Sequence, residues 1–195
     1  MDTPRAFLTE LLRQSLRDPR AAARHVMAID MPASARWEAL ALVVILSAFV
    51  GQISILMMTG ELTAPGLLGT PLQSVAIQGA VLLVMVQAIY HVGRALGGTG
   101  GFGQTLTLVS WLQCVMIGVQ VAQVVALTII PPLAGLIGIA GMVLFLWLLT
   151  NFIAELHGFP SLGRVFAMIL ATAFALAFVV ALVMGILGIQ PPGDV

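Results

Sequence analysis

Residues 104–154 read QTLTLVSWLQCVMIGVQVAQVVALTIIPPLAGLIGIAGMVLFLWLLTNFIA, without one Asp, Glu, Lys or Arg. As a single α-helix rising 1.5 Å per residue this stretch would run about 75 Å, more than twice a hydrocarbon core about 30 Å thick. The chain must therefore reverse inside it. Pro131 and Pro132 mark the place, because proline lacks the amide hydrogen a helix interior needs and is at home in turns. So short a turn makes the two halves antiparallel neighbours.

Working outward, three more apolar runs of similar length appear. The five predicted spans are approximately Trp37 to Met58, Leu72 to Leu96, Gln104 to Ile130, Leu133 to Ala154 and Val165 to Ile189. Each reaches the roughly 20 apolar residues that a crossing requires. The predicted fold class is all-α: a polytopic bundle of five transmembrane helices (37–189) behind a short amphipathic amino-terminal lead (1–36), with a tail at 190–195. Composition agrees, since 60% hydrophobic and 8% charged residues in 195 exceed what a soluble core of this size can hide.

All eight cations are arginines, and alternate crossings put every one on a single side. Arg5, Arg13, Arg17, Arg20, Arg24 and Arg36 precede the first span, Arg94 follows the second and Arg164 follows the fourth. The positive-inside rule makes that side cytoplasmic, with the amino terminus inside and the carboxyl terminus outside. The opposite loops offer only Glu61 and, at the tail, Asp194. A formal net charge of zero argues against nucleic acid, which is bound through clustered cations. Cys114 is the only cysteine, so no intrachain disulfide can form, and a small buried hydrophobe is its expected role. The first 36 residues hold no apolar stretch of signal-peptide type, and the amino terminus is expected to be retained.

The lead reads as two short helices. Thr3-Pro4 and Asp18-Pro19 each have the form of a capping residue followed by proline at the first helical position. Between them Phe7, Leu8, Leu11, Leu12 and Leu16 share a face opposite Arg5, Glu10, Arg13 and Arg17, an amphipathic pattern. That face either packs on the bundle or lies in the membrane interface, or it offers a docking surface for a partner through Phe7, Leu11 and Leu12. Six arginines against Asp2, Glu10, Asp18, Asp30 and Glu38 leave the segment at plus one, too little for a strong electrostatic anchor at about 1 kcal/mol per cation.

No Asp, Glu, Lys or Arg lies deep in a span, whereas ion-coupled transporters usually keep an ionisable group there. Glutamine takes that place. Gln113 and Gln120 share a face of the third span with Gln123 at its flank, and Gln87, His91 and Arg94 follow one another along the second. Gln87, His91, Gln113 and Gln120 are therefore either a polar lane between spans two and three or interhelical hydrogen bonds that fix which faces meet. Ala173, Ala177, Ala181 and Gly185 in span five, with Ser47 and Gly51 in span one, have the spacing that lets helix backbones approach closely, which argues for a compact bundle or a homo-oligomer. Glu155, His157 and His91 are ordinary zinc ligands by type, but residues two apart do not share a helix face, and no metal is expected. Ser110 and Ser161 lack a nearby acid and base, and Gly98-Thr99-Gly100-Gly101-Phe102-Gly103 has neither dinucleotide-binding nor phosphate-loop spacing. It reads as a flexible, close-packed cytoplasmic turn. No catalytic, cofactor or metal residue is assigned, and the chain is expected not to be an enzyme.

In this order the features resemble the Yip family of five-span membrane proteins, named for Ypt/Rab GTPase interaction, and specifically its short bacterial members. The resemblance rests on the lead Asp18-Pro19-Arg20-Ala21-Ala22, the five spans, the turn from Gly97 through Leu106, and Ser110-Trp111-Leu112-Gln113 early in the third span. Glu155-Leu156-His157-Gly158-Phe159 occupies the equivalent turn before span five. It covers about Arg13 to Gly188. The resemblance implies a non-enzymatic role in organising membranes, and in this chain a scaffold or adaptor of the bacterial inner membrane. Its partners would be the lipid bilayer and a membrane protein or a second copy. Rab binding does not carry over, because the chain has no Asp-Leu-Tyr-Gly-Pro stretch and its lead is too short for a comparable domain. The alternative expectation is a small-solute or lipid transporter that uses the glutamine lane.

Overall fold

The computed structural model describes residues 4–60 and 70–186. They form seven helices, and among the described residues no strand is present. The lead comprises α1 (Pro4–Arg17) and α2 (Pro19–Ala28). The five long helices are α3 (Ala33–Thr59), α4 (Pro71–Ala95), α5 (Phe102–Ile129), α6 (Pro131–His157) and α7 (Leu162–Ile186). Each of these five is long and apolar enough to cross a membrane, and the protein is a multi-pass membrane protein with the all-α bundle fold that the apolar runs predict.

Local chemistry sets the boundaries. The Asp18 carboxylate accepts from the Ala21 amide at 3.0 Å and starts α2, as its place before Pro19 predicts. Thr3, the other expected cap, lies outside the described residues. Thr70 and Gln73 cap α4 reciprocally at 3.1 and 3.2 Å, a device worth about 1 kcal/mol. Between α5 and α6 the chain reverses at Ile130, with Pro131 opening α6. Three helices overrun the predicted spans by three residues or more at one end, α7 by starting at Leu162. α3 begins at Ala33, directly after the extended Pro32, and α6 continues past Ala154 until Gly158 stops it at φ 71°. Hydropathy marks only the immersed part of a helix, whereas helical hydrogen bonding continues into the polar interface.

Helix α5 is central, packing chiefly on α3 and α6. Burial is uneven along it: Thr105 through Gln113 are buried in an unbroken run, but beyond Val115 only Ala126 is. Helix α6 mirrors this, with Leu148 through Ala154, then Leu156 and His157, buried near its end. The bundle is thus tight at the end that carries the arginines and open at the other. At the open end two glutamines clasp α3 to α4. The Gln52 amide donates to Ser74 Oγ at 2.6 Å, and the Gln78 amide donates to Ser47 Oγ. Ser47, expected as a small packing residue, thus serves as a hydrogen-bond acceptor as well.

Helix α7 packs chiefly against α6, and Val165 is its only fully buried residue among those described. This corrects only the reading of its small-residue stripe as a packing face within the bundle. Ala173, Ala177, Ala181 and Gly185 are all exposed, and nothing lies within 4 Å of a Cβ placed on Gly185. Small side chains permit a close approach, but a partner helix must also be aligned with them, and among the described residues none is. Cys114, expected to be buried, is exposed on the outer face of α5.

Candidate functional site

The tight end of the bundle is built around one histidine. His157, the last residue of α6, is only 2% exposed. Its Nε2 lies 3.1 Å from the Ile89 carbonyl of α4, and its Nδ1 accepts from the Gly100 amide at 3.3 Å. Since a carbonyl can only accept and an amide can only donate, these partners assign the neutral tautomer with the proton on Nε2. The Thr99 amide donates in turn to the His157 carbonyl at 3.4 Å, and Phe159 stacks on the ring at 5.6 Å.

Glycines make the space for this ring. A Cβ on Gly93, four residues after Ile89, would overlap the imidazole at Nε2 and Cε1. The bare helix surface at Gly93 is what lets His157 reach a carbonyl already committed to the helix. A Cβ on Gly98 would strike the same ring, and one on Gly100 would lie 2.6 Å from Leu156 Cγ. Gly97 turns the chain at φ 91°. Far from being only a flexible connection, the run that begins at Gly97 wraps residues 97–101 around the end of α6.

Helices α1 and α2 close over this junction. The Trp111 indole of α5 donates to Ser15 Oγ at 2.9 Å, and that hydroxyl donates to the Leu11 carbonyl at 2.8 Å. Arg20 donates to the Phe159 carbonyl at 3.1 Å. Arg24 pairs with Glu155 at 3.1 Å. With Arg24 more than half exposed, that ion pair contributes at most about 1 kcal/mol. The burial of Ala22, Ala23 and Val26 holds α2 down more strongly.

The expected site residues separate. In the lead, Leu11 is buried at 4% and Leu12 packs beside it, whereas Phe7 is 50% exposed together with Leu8 and Leu16. The amphipathic face is thus divided between the bundle and the surroundings. Phe7 and Leu11 border a groove of about 300 Å³ between α1 and α2, shared with Gln14, His25 and Ile29. Of the polar lane, Gln113 is buried in the core and Gln120 lies farther along α5. Gln87 and His91 instead face α7 across a crevice of about 810 Å³ that reaches neither of the α5 glutamines. Gln123 donates to the Ala134 carbonyl at 3.3 Å, tying α5 to α6 beside the proline turn. Glu155 and His157 point apart, to Arg24 and into the glycine cradle, and no cluster of three metal-binding side chains occurs among the described residues. The Ser110 hydroxyl donates to the Leu106 carbonyl of its own helix at 2.9 Å.

Sequence reasoning missed that the glycine turn and the Glu155–Phe159 segment form a single structure. A signal existed, because both flank spans at the same end of the bundle, yet no pattern states that they touch. Compared with known families, residues 13–184 match the family described as Yip1 domain. No curated protein and no solved structure matches the chain.

Proposed function

The chain belongs to the Yip1 domain family, and from that premise we propose that it is a non-enzymatic scaffold or adaptor of the bacterial inner membrane. The arginine-bearing end faces the cytoplasm, as the one-sided distribution of Arg favours. One observation carries the proposal above all. The lead is fastened to the bundle by Leu11, Ser15 and Val26, and it still presents Phe7, Leu8 and Leu16 outward beside a groove. A face that only packed on its own bundle would leave no such row of large apolar side chains. A held helix with an unspent apolar edge suits a partner helix or the membrane interface.

The test is photo-crosslinking in native membranes from positions 7, 8 and 16, with position 81 of α4, an exposed bundle site, as control. A scaffold yields one defined protein adduct from the lead positions, lost on Phe7→Ser with Leu16→Ser. Adducts to lipid alone would leave the lead as an interfacial anchor and defeat the adaptor reading. Transport is the second reading, favoured by Gln87 and His91 lining the crevice beside α7. It calls for saturable solute flux in reconstituted vesicles.

A further inference from the structure

Helices α4 and α7 flank α6 but make at most marginal contact with each other. Between them lies a crevice, with a deeper chamber of about 550 Å³ floored by Leu149 of α6 and an outer part of about 810 Å³. Val84, Ala88 and Val92 on one wall and Met168, Thr172 and Leu176 on the other line both parts. The crevice is mostly apolar along its length, Thr172 and Gln87 excepted, and its charged groups lie toward one end. There His91 lies on its wall, and Arg94 follows three positions later on the same helical face. Arg164 precedes Met168 by four positions on the facing helix, which places it at the same mouth. Both arginines are exposed, and among the described residues neither forms an ion pair.

We propose that this crevice is a binding site for one anionic phospholipid, its acyl chain lying between α4 and α7 and its phosphate met by Arg94 and Arg164. Charge complementarity selects this occupant. The bilayer supplies an acyl chain to the apolar length of the crevice and an anionic headgroup at the depth of the two guanidinium groups, which recognise phosphate by paired hydrogen bonds. A second copy of the chain would bring its own arginines to the same end of the bundle. The lipid would also account for a helix with one fully buried residue staying beside the bundle: it completes the packing that α7 lacks. The site is independent of any partner bound at the lead.

The experiment is native mass spectrometry of the full chain in mild detergent, titrated with phosphatidylglycerol or with phosphatidylcholine of matched acyl chains. One phosphatidylglycerol is expected to be retained in preference to phosphatidylcholine. Arg94→Gln and Arg164→Gln should each reduce that preference by roughly fivefold, the equivalent of about 1 kcal/mol per cation. Ala175→Phe, at an exposed position on the outer wall, should reduce retention of both lipids while the melting temperature stays near wild type. Equal retention of the two lipids, unchanged in the double Arg variant, would overturn the proposal. So would a lipid-free dimer that Ala175→Phe dissociates, which would give the crevice to a second copy.

Discussion

The imidazole of His157 occupies the space that a side chain on Gly93 would need. The end of α6 and the surface of α4 are thus complementary at one point, where a ring meets a missing Cβ and the Ile89 carbonyl accepts from that ring. Gly93→Ala should therefore destabilise the bundle by about 1 to 3 kcal/mol, the usual range for overpacking. Gly118→Ala, with nothing within 4 Å of the added methyl, should gain up to about 1 kcal/mol from helix propensity. In thermal melts in detergent, Gly93→Ala on a His157→Ala background should cost much less than on wild type. Additive costs would show that the two residues do not share this space.

The parts of this architecture that the sequence reveals are those set by local physics. The apolar run around Pro131 and Pro132 is too long to cross once, so the chain reverses and the prolines mark where, and Asp18 before Pro19 is a local helix-start signal. The contact between His157 and Ile89 joins residues 68 apart and depends on how far α4 and α6 slide along each other, which no spacing encodes. The stripe Ala173, Ala177, Ala181 and Gly185 has the period of a contact face, but alanine is equally at home against lipid. The lead shows the same limit at finer scale. Periodicity gathers Phe7 and Leu11 on one face, whereas only the tertiary fit decides that Leu11 turns inward and Phe7 outward.

Trp111 and Ser15 form the hydrogen bond that ties the lead to the core of the bundle. Ser15→Ala leaves the buried indole N–H of Trp111 without an acceptor, at a cost of about 1 to 3 kcal/mol. Because the bond spans α1 and α5, the loss should appear as loosening of the lead rather than global unfolding. Limited proteolysis within residues 4–28 should accelerate in Ser15→Ala at temperatures where the spans stay protected. Unchanged cleavage would mean that the apolar contacts of α2 hold the lead without this bond.

Within the lead, exposed and buried positions should behave oppositely. Leu11→Ser removes a side chain that is 4% exposed and should cost about 2 to 5 kcal/mol, the range for truncating a buried leucine. Phe7→Ser and Leu16→Ser change surface positions, and their effect should stay within about 0.5 kcal/mol. If the surface pair abolishes a crosslinked adduct at unchanged melting temperature, the adduct reports on binding. If melting falls equally for all three, the lead is purely structural.

The placement of all arginines at one end makes the orientation testable. On a Cys114→Ser background, cysteines at Thr99 and Ser161, both exposed at the arginine end, should react with an impermeant maleimide only after permeabilisation. Cysteines at Thr63 and Asp194 should react in intact cells. Position 99 serves better than the neighbouring Gly100, where a side chain would meet Leu156 and His157. Labelling of position 161 in intact cells would reverse the assigned topology.

Gln120 offers the sharpest separation between scaffold and transporter. Its side-chain carbonyl is buried and has no hydrogen-bond partner among the described residues, an arrangement that normally costs about 1 to 3 kcal/mol. If that carbonyl serves no solute, Gln120→Leu removes the unpaired group and should leave the melting temperature equal to wild type or higher. Gln78→Leu, by contrast, breaks the bond to Ser47 and should lower it by the equivalent of about 1 kcal/mol. Reconstituted vesicles should pass sugars, amino acids and ions no faster than empty ones, before or after either change. A saturable flux that Gln120→Leu abolishes, with melting preserved, would show that the unpaired carbonyl is kept for a passing ligand and would replace the scaffold reading with transport.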